Sequence, residues 1–333
     1  MQEADAIEAF SNYLLHNRGR ANITANKYCG YLHRLQKSIA PKPIIQSTRA
    51  EIEYFAGLQS HRDGLSPRSR RQMVAALRGF FSWAQKSGLI TQDPAADLPY
   101  PRAGQKLPTA LSLKYAERIL MAPDLDTFIG VRDAAILALL IGCGPRVSGL
   151  CALNEGDLIF EQIDQRDWLV IRLREKGKKE RLVPVPHEAR LLLLAYLGHP
   201  DLEGVDRLLP SGDRVLFVST RNQSIAAHDY FGEARRLHPR SVNDLIERYA
   251  DRVGVPRAMA HPHAFRHLYG TELAEHDAET YQLQALLGHV DARTTEVYIH
   301  LATRTLAKLV DRANPLRSIN TPASGLAREL SKR

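Results

Sequence analysis

The stretch RDAAILALLIGCG, residues 132–144, constrains this chain more than any other. After Asp133 every position is apolar or small. Wound as a helix, it has no polar face to offer water, so other elements must cover it. It is also too short for a bilayer. No uninterrupted apolar run in the chain approaches the roughly 20 residues a membrane helix needs. The helix is therefore expected inside a protein core. A Gly/Pro break, GCGPR, ends it, and Arg146 follows directly.

The rest of the chain suggests what surrounds that helix. Its 333 residues suit two domains. Residues 1–98 read as all-helical. AIEAFSNYLL carries a stripe of Ile7, Phe10, Tyr13 and Leu14, and ITANKYCGYLHRLQKSI repeats the period with Tyr28, Tyr31, Leu32 and Leu35. Thr48 with Glu51 forms a capping box ahead of RAEIEYFAGL. Pro67 suits the first turn of a fourth helix, PRSRRQMVAALRGFFSWAQKSG, and Gly88 its end. The segment DPAADLPYPRAGQKLPTAL has four prolines and no period, which makes residues 99–108 a linker. Residues 109–313 are helix-dominated with one β-hairpin, Trp168 to Leu173 and Arg181 to Val185 around a polar turn. The expected class is mainly α with a small β-hairpin or sheet (α+β). The basic tail, residues 314–333, is expected to be poorly ordered.

Composition narrows the partners. The chain has 45 Lys+Arg against 37 Asp+Glu, a net charge of +8. That balance suits a polyanion, nucleic acid first and an anionic membrane second. The acidic, helical start MQEADAIEAF is no secretory signal. Cys29, Cys143 and Cys151 follow no zinc spacing and fit a reducing interior. Cys143 and Cys151 read as small buried thiols.

Four separated segments carry the chemistry: GPRVSGLCAL with Arg146, EKGKKERLVPV with Lys176, HAFRH with His263 and Arg266, and LLGHVDARTTEVY with His289 and Tyr298. In this order and spacing they resemble the motifs of the tyrosine recombinases, or phage-type integrases. The resemblance covers residues 109–312 as the catalytic domain. The N-terminal helical unit looks like the family's core-binding domain.

Elementary chemistry explains why these types belong together. Breaking a DNA phosphodiester without metal or ATP needs a nucleophile, a proton donor for the leaving 5′-oxygen, and positive charge on the transition state. Arg146 and Arg266 can clamp two phosphate oxygens and stay protonated. His263 and Arg266 lie three apart, on one helix face. His263 can then exchange a proton with the Tyr298 hydroxyl. His267 is read as packing, and His261 as structural. An unperturbed tyrosine, with a pKa of about 10, needs such activation. The resemblance implies that Lys176 protonates the 5′-oxygen, with Lys178 the runner-up, and that His289 donates to a phosphate oxygen. It implies a 3′-phosphotyrosine intermediate, which conserves the bond energy. No GxxxxGK[ST] motif for ATP occurs. No cofactor or metal is expected.

One position departs from the family. Three residues after Arg146, where an acid usually supports the histidine, stands Gly149. Either another acid, such as Asp157 or Glu155, substitutes in space, or the enzyme is slower. Candidate DNA contacts are Arg68, Arg70 and Arg71 on the fourth helix, Lys178 and Lys179 in the hairpin turn, and Asn243 on the helix begun by Ser241. The resemblance implies duplex DNA with recombination sites as partner, a dimer on each site and a tetrameric synapse. Accessory DNA-bending proteins fit the same picture. Leu306, Leu309 and Val310 form a stripe that packs on its own domain or, by resemblance, on a neighbouring protomer. The expected place is the cytoplasm, at the nucleoid. Two readings compete with integration, excision or resolution of DNA: strand relaxation of the type IB topoisomerase kind, and a non-catalytic DNA-binding protein of this fold.

Overall fold

Helix α7, Phe128–Cys143, is buried along its length apart from Ile129. It lies in the second of two compact units, Met1–Leu107 and Pro108–Arg333. The computed structural model describes residues 3–102, 111–163, 166–175, 179–221, 225–276, 278–288 and 306–323.

The first unit is helical. It comprises α1 (Glu3–Asn12), α2 (Asn22–Ile39), α3 (Arg49–Tyr54), α4 (Ser60–Arg62) and α5 (Pro67–Lys86). Its core gathers the expected stripes: Ile7, Phe10, Leu32 and Leu35 with Leu77, Phe80 and Phe81 of α5. Thr48 and Glu51 form the reciprocal capping box. The Ser66 hydroxyl accepts from the Ser69 amide, and Pro67 opens α5.

The second unit wraps α7 with α6 (Leu113–Leu120), α8 (Val147–Cys151), α9 (His187–Leu197), α10 (Pro200–Glu203), α11 (Pro239–Arg252), α12 (Pro262–Glu275), α13 (Thr280–Leu287) and α14 (306–313). Helices α6, α9 and α12 pack directly on α7. A three-stranded antiparallel sheet runs β1 (Leu158–Ile163), β2 (Arg166–Glu175), β3 (Lys179–Pro184), with Leu158 opposite Ile171 and Leu173 opposite Arg181. The hairpin was expected and β1 was not. LIFEQI lacks strict alternation, and as an edge strand it leaves Phe160 exposed. Cys143 and Cys151 are buried, and burial pushes both thiols up to about 12.

Three helices start on histidine–proline pairs. The Nδ1 of His199, His238 and His261 accepts an amide of α10, α11 and α12, with proline at the first helical position. The His261 ring is thus engaged at the start of α12.

The start of the C-terminal tail differs from expectation. Leu306, Leu309 and Val310 of α14 are buried in the core of their own unit. Beyond it, 314–323 do not form a loose tail. Leu316 is 1% exposed and lies against Gly142 of α7, and Asn320 bonds Glu117 of α6. The basic composition hid an apolar rhythm, Pro315, Leu316, Ala323.

The end of α7 is set by Gly144, which adopts φ +53°. A Cβ there would also lie 2.4 Å from the Tyr269 ring. Both demands exclude a side chain. Gly144→Ala is expected to destabilise the protein by about 3 kcal/mol, combining left-handed strain with overpacking. Urea denaturation of the two proteins measures it.

Candidate active site

Arg146 stands two residues beyond Gly144, in extended conformation at the N-cap of α8. The left-handed glycine turns the chain out of α7, and Arg146 emerges at its end. Opposite it, His261 and Pro262 start α12, which carries His263 and Arg266 on one face. Arg146, His263 and Arg266 line one cleft of about 740 Å³, together with His267. The sequence expected these three residues together, and the fold brings them together. His267, read as packing, has an exposed ring that faces the same cleft.

Arg266 is the most constrained of the three. It is 9% exposed. One terminal nitrogen donates to the Gly144 carbonyl at 2.8 Å, and the other to the Leu287 carbonyl. Those oxygens end α7 and α13, where carbonyls lack intrahelical partners and the helix dipole is negative. The guanidinium thus caps two helices at once. Burial, with Arg181 and Arg146 nearby, pushes its pKa down to about 10. It stays protonated at neutral pH.

His263 has one open side and titrates below the usual histidine value. Burial is the largest cause, followed by His261, His267, Arg266 and Arg146. Its leading charged influences are all cationic, so the neutral imidazole is favoured at pH 7.

The acids expected to support His263 are engaged elsewhere. Asp157 is buried and pairs with Arg174 at 2.7 Å, and Glu155 pairs with Arg207 at 2.6 Å. Neither replaces the acid at position 149. Sequence separation alone had placed them near, and strand β2 claims Asp157 through Arg174.

Lys176, Lys178, His289 and Tyr298 lie outside the described residues. Lys179 opens β3. His289 follows Gly288, which ends α13 with φ +68°. Arg68 and Arg71 are exposed and Arg70 half-exposed on α5. Arg71 and Arg78 sit 5.2 Å from the ring of Tyr100, one cation near the ring from each residue. Asn243 donates to the Pro239 carbonyl of its own helix. Arg240, exposed in the first turn of α11, was not singled out from the sequence. Nor was Arg181, whose terminal nitrogens are closed to solvent near Arg146 and Arg266.

Guanidinium groups around one cleft, with an imidazole beside them, are chemistry suited to a phosphate diester. Comparison with known proteins agrees. The phage integrase family matches residues 110–305, and its N-terminal SAM-like domain matches residues 7–88. Tyrosine recombinase XerC of Shewanella amazonensis is 33% identical over 94% of this chain and 97% of its own. Tyrosine recombinase XerD of Proteus mirabilis is 31% identical over 93% of this chain and 92% of its own. The chain belongs to the phage integrase family, and it is a tyrosine recombinase acting in site-specific recombination. Two solved structures share the fold. XerH bound to a palindromic difH substrate has a TM-score of 0.63 and 20% identity, covering 92% of this chain and 83% of that one. A lambda integrase dimer on a core site also has 0.63, with 17% identity, covering 87% and 96%.

Position 149 offers a direct check. A Cβ on Gly149 would meet only the Arg174 carbonyl, at 3.4 Å, an ordinary contact. Gly149→Ala should therefore stabilise by about 0.5–1 kcal/mol, the usual gain over glycine in a helix. Gly149→Glu should fold and cleave DNA. Thermal melts and a cleavage assay read both, and a Glu variant that folds but cannot cleave would contradict the geometry.

Proposed function

We propose that the chain cuts and rejoins duplex DNA with Tyr298 as nucleophile, without metal or ATP. The Tyr298 Oη–P bond forms as the P–O5′ bond breaks. His263 takes the phenol proton, and Lys176 gives one to the departing 5′-oxygen. Arg146 and Arg266 hold the non-bridging oxygens, joined by His289. The product is a 3′-phosphotyrosine and a free 5′-hydroxyl, and reversal on a second strand exchanges partners. One observation supports this reading above others: two arginines and a neutral histidine share a cleft, with the chain's final motif following directly from α13. Arginine contacts strengthen as phosphate charge rises in the transition state.

We take the substrate to be duplex DNA carrying recombination sites. The XerH and lambda integrase structures hold such DNA. A dimer on each site and a tetrameric synapse follow from the need to exchange strands between two duplexes. Accessory bending proteins fit the same assembly. Among the described residues no helix is long and apolar enough to cross a membrane. The working place is the cytoplasm, at the nucleoid. The domain plan is residues 1–98 for core binding, a linker at 99–108 and residues 109–313 for catalysis.

Strand relaxation and non-catalytic DNA binding are the rival readings. A plasmid bearing two target sites separates them: deletion or inversion products mark recombination, relaxation alone the topoisomerase reading. Wild-type protein should form a covalent complex on nicked DNA that survives detergent, and Tyr298→Phe should form none. A Phe variant that still formed it would sink the assignment.

The pH response has a definite sign. His263 must be neutral to accept the phenol proton, and its pKa lies below the ordinary value. Cleavage should hold steady near pH 7 and fall only on the acid side of the ordinary histidine range. His263→Gln should lose that acidic limb and run roughly 100-fold slower throughout. Single-turnover rates at subsaturating DNA, which report the free protein, give the profile between about pH 5 and pH 8.

A further inference from the structure

Helix α12 carries polar side chains into the cleft well past the residues assigned to the chemistry. His263, His267, Thr271 and Glu275 line it in turn, each four residues after the last. Residues four apart sit one above the other on a helix, and each such step advances about 6 Å. From His263 to Glu275 the row is roughly 18 Å long. Leu283 and Leu287 of α13 give the same cleft an apolar wall. His267 and Thr271 are both exposed, and neither side chain makes a hydrogen bond or an ion pair among the described residues. A packing residue would bury its ring, and His267 does not.

A polar row on one helix and an apolar wall on the next suit a ligand that alternates charged and apolar parts. A DNA strand is such a ligand, phosphate followed by the carbon face of a sugar. Charge sets where the phosphate goes. The cleft holds Arg146 and Arg266 at the His267 end, and these attract an anion. Glu275, two turns beyond His267, repels one. We infer that His267, with Thr271 beside it, binds the phosphate next to the scissile one, so that the cleft holds two successive phosphates of one strand. The inference rests on the recombinase reading of the cleft. The advance of about 6 Å from His263 to His267 is comparable with the step between successive phosphates. An imidazole donates from one nitrogen in either tautomer, and the Thr271 hydroxyl donates as well. Such bonds are stronger to a charged oxygen than to a neutral one. Leu283 and Leu287 take the sugar between. The contact adds no step to the chemistry. It fixes the strand on one side of the scissile bond, so that the phosphorus reaches the clamp already oriented for attack.

The test uses the full chain and a nicked duplex that the wild-type protein has been shown to join covalently, selected from a randomised DNA pool. The phosphate on either side of the scissile one is replaced, one at a time, by a neutral methylphosphonate. Rates of covalent-complex formation are read at subsaturating DNA. On unmodified DNA, His267→Ala should react about tenfold more slowly than wild type, the worth of one hydrogen bond to a charged group. Its ring is exposed, so the melting temperature should not change. On DNA neutralised at the phosphate that His267 binds, wild type should slow by a similar factor, and the Ala variant should lose nothing further. At the other flanking phosphate the two losses should multiply. Multiplied losses at both phosphates would overturn the inference. Thr271→Val keeps the shape and removes the hydroxyl. Its smaller loss, about threefold, should vanish on the same modified DNA as that of His267→Ala. A loss that vanished only on the other modified DNA would overturn the shared subsite. Wild-type protein that forms no covalent complex on any pool DNA would overturn the parent reading instead.

Discussion

The catalytic unit depends on one guanidinium shared between two helix ends. Arg266 donates to the carbonyl of Gly144, which caps α7, and to that of Leu287 at the end of α13. Without it, the buried helix α7 would end on an unsatisfied acceptor, at a cost of roughly 1–3 kcal/mol. The same bonds fix where the arginine points. Two of its five N–H groups are spent on structure, and the others remain for the cleft. Its position follows from helix packing, and on the proposed mechanism the guanidinium is already in place for the phosphate.

The other end of α7 is anchored by charge. Asp133 is fully buried and accepts from Arg132 at 2.7 Å, from Arg248 at 3.1 Å and from the Tyr249 hydroxyl at 3.0 Å. This ties α7 to α11, while Arg266 ties it to α12 and α13. An apolar helix alone could slide or rotate in its sheath, because hydrophobic contact is non-directional. Polar anchors at both ends remove that freedom and hold Gly144 and Arg146 in register with His263.

The sequence carried the local parts of this design and not the long-range ones. Helices with a clear period and a visible start were legible, as Thr48 with Glu51 and Ser66 with Pro67 illustrate. So was the apolar helix that had to be buried, and the grouping of Arg146 with the HAFRH segment. Three features escaped. Strand β1 lacks alternation because its Phe160 faces outward at an edge. The burial of 314–323 depends on a groove that exists only once α7 and α9 have packed. Arg181 reads in sequence like any arginine in a basic hairpin, and only the fold closes its terminal nitrogens to solvent. Pairings such as Asp157 with Arg174 are likewise set by strand register, which spacing in the chain does not reveal.

The missing acid at Gly149 bears on the chemistry in a particular direction. A carboxylate beside His263 would raise its pKa and hold a proton on it. Here the leading charges on the ring are His261, His267, Arg266 and Arg146, which all expel that proton. The free protein thus presents a neutral but weak base. A DNA phosphate entering the cleft brings negative charge among these same cations, and Coulomb attraction raises the histidine's proton affinity. Base strength then appears when the scissile phosphate is in place. On the proposed mechanism, the imidazolium, surrounded by cations, gives its proton back readily to the departing tyrosine oxygen in the rejoining step. On this reading the substrate supplies the charge that an acid at position 149 would otherwise provide.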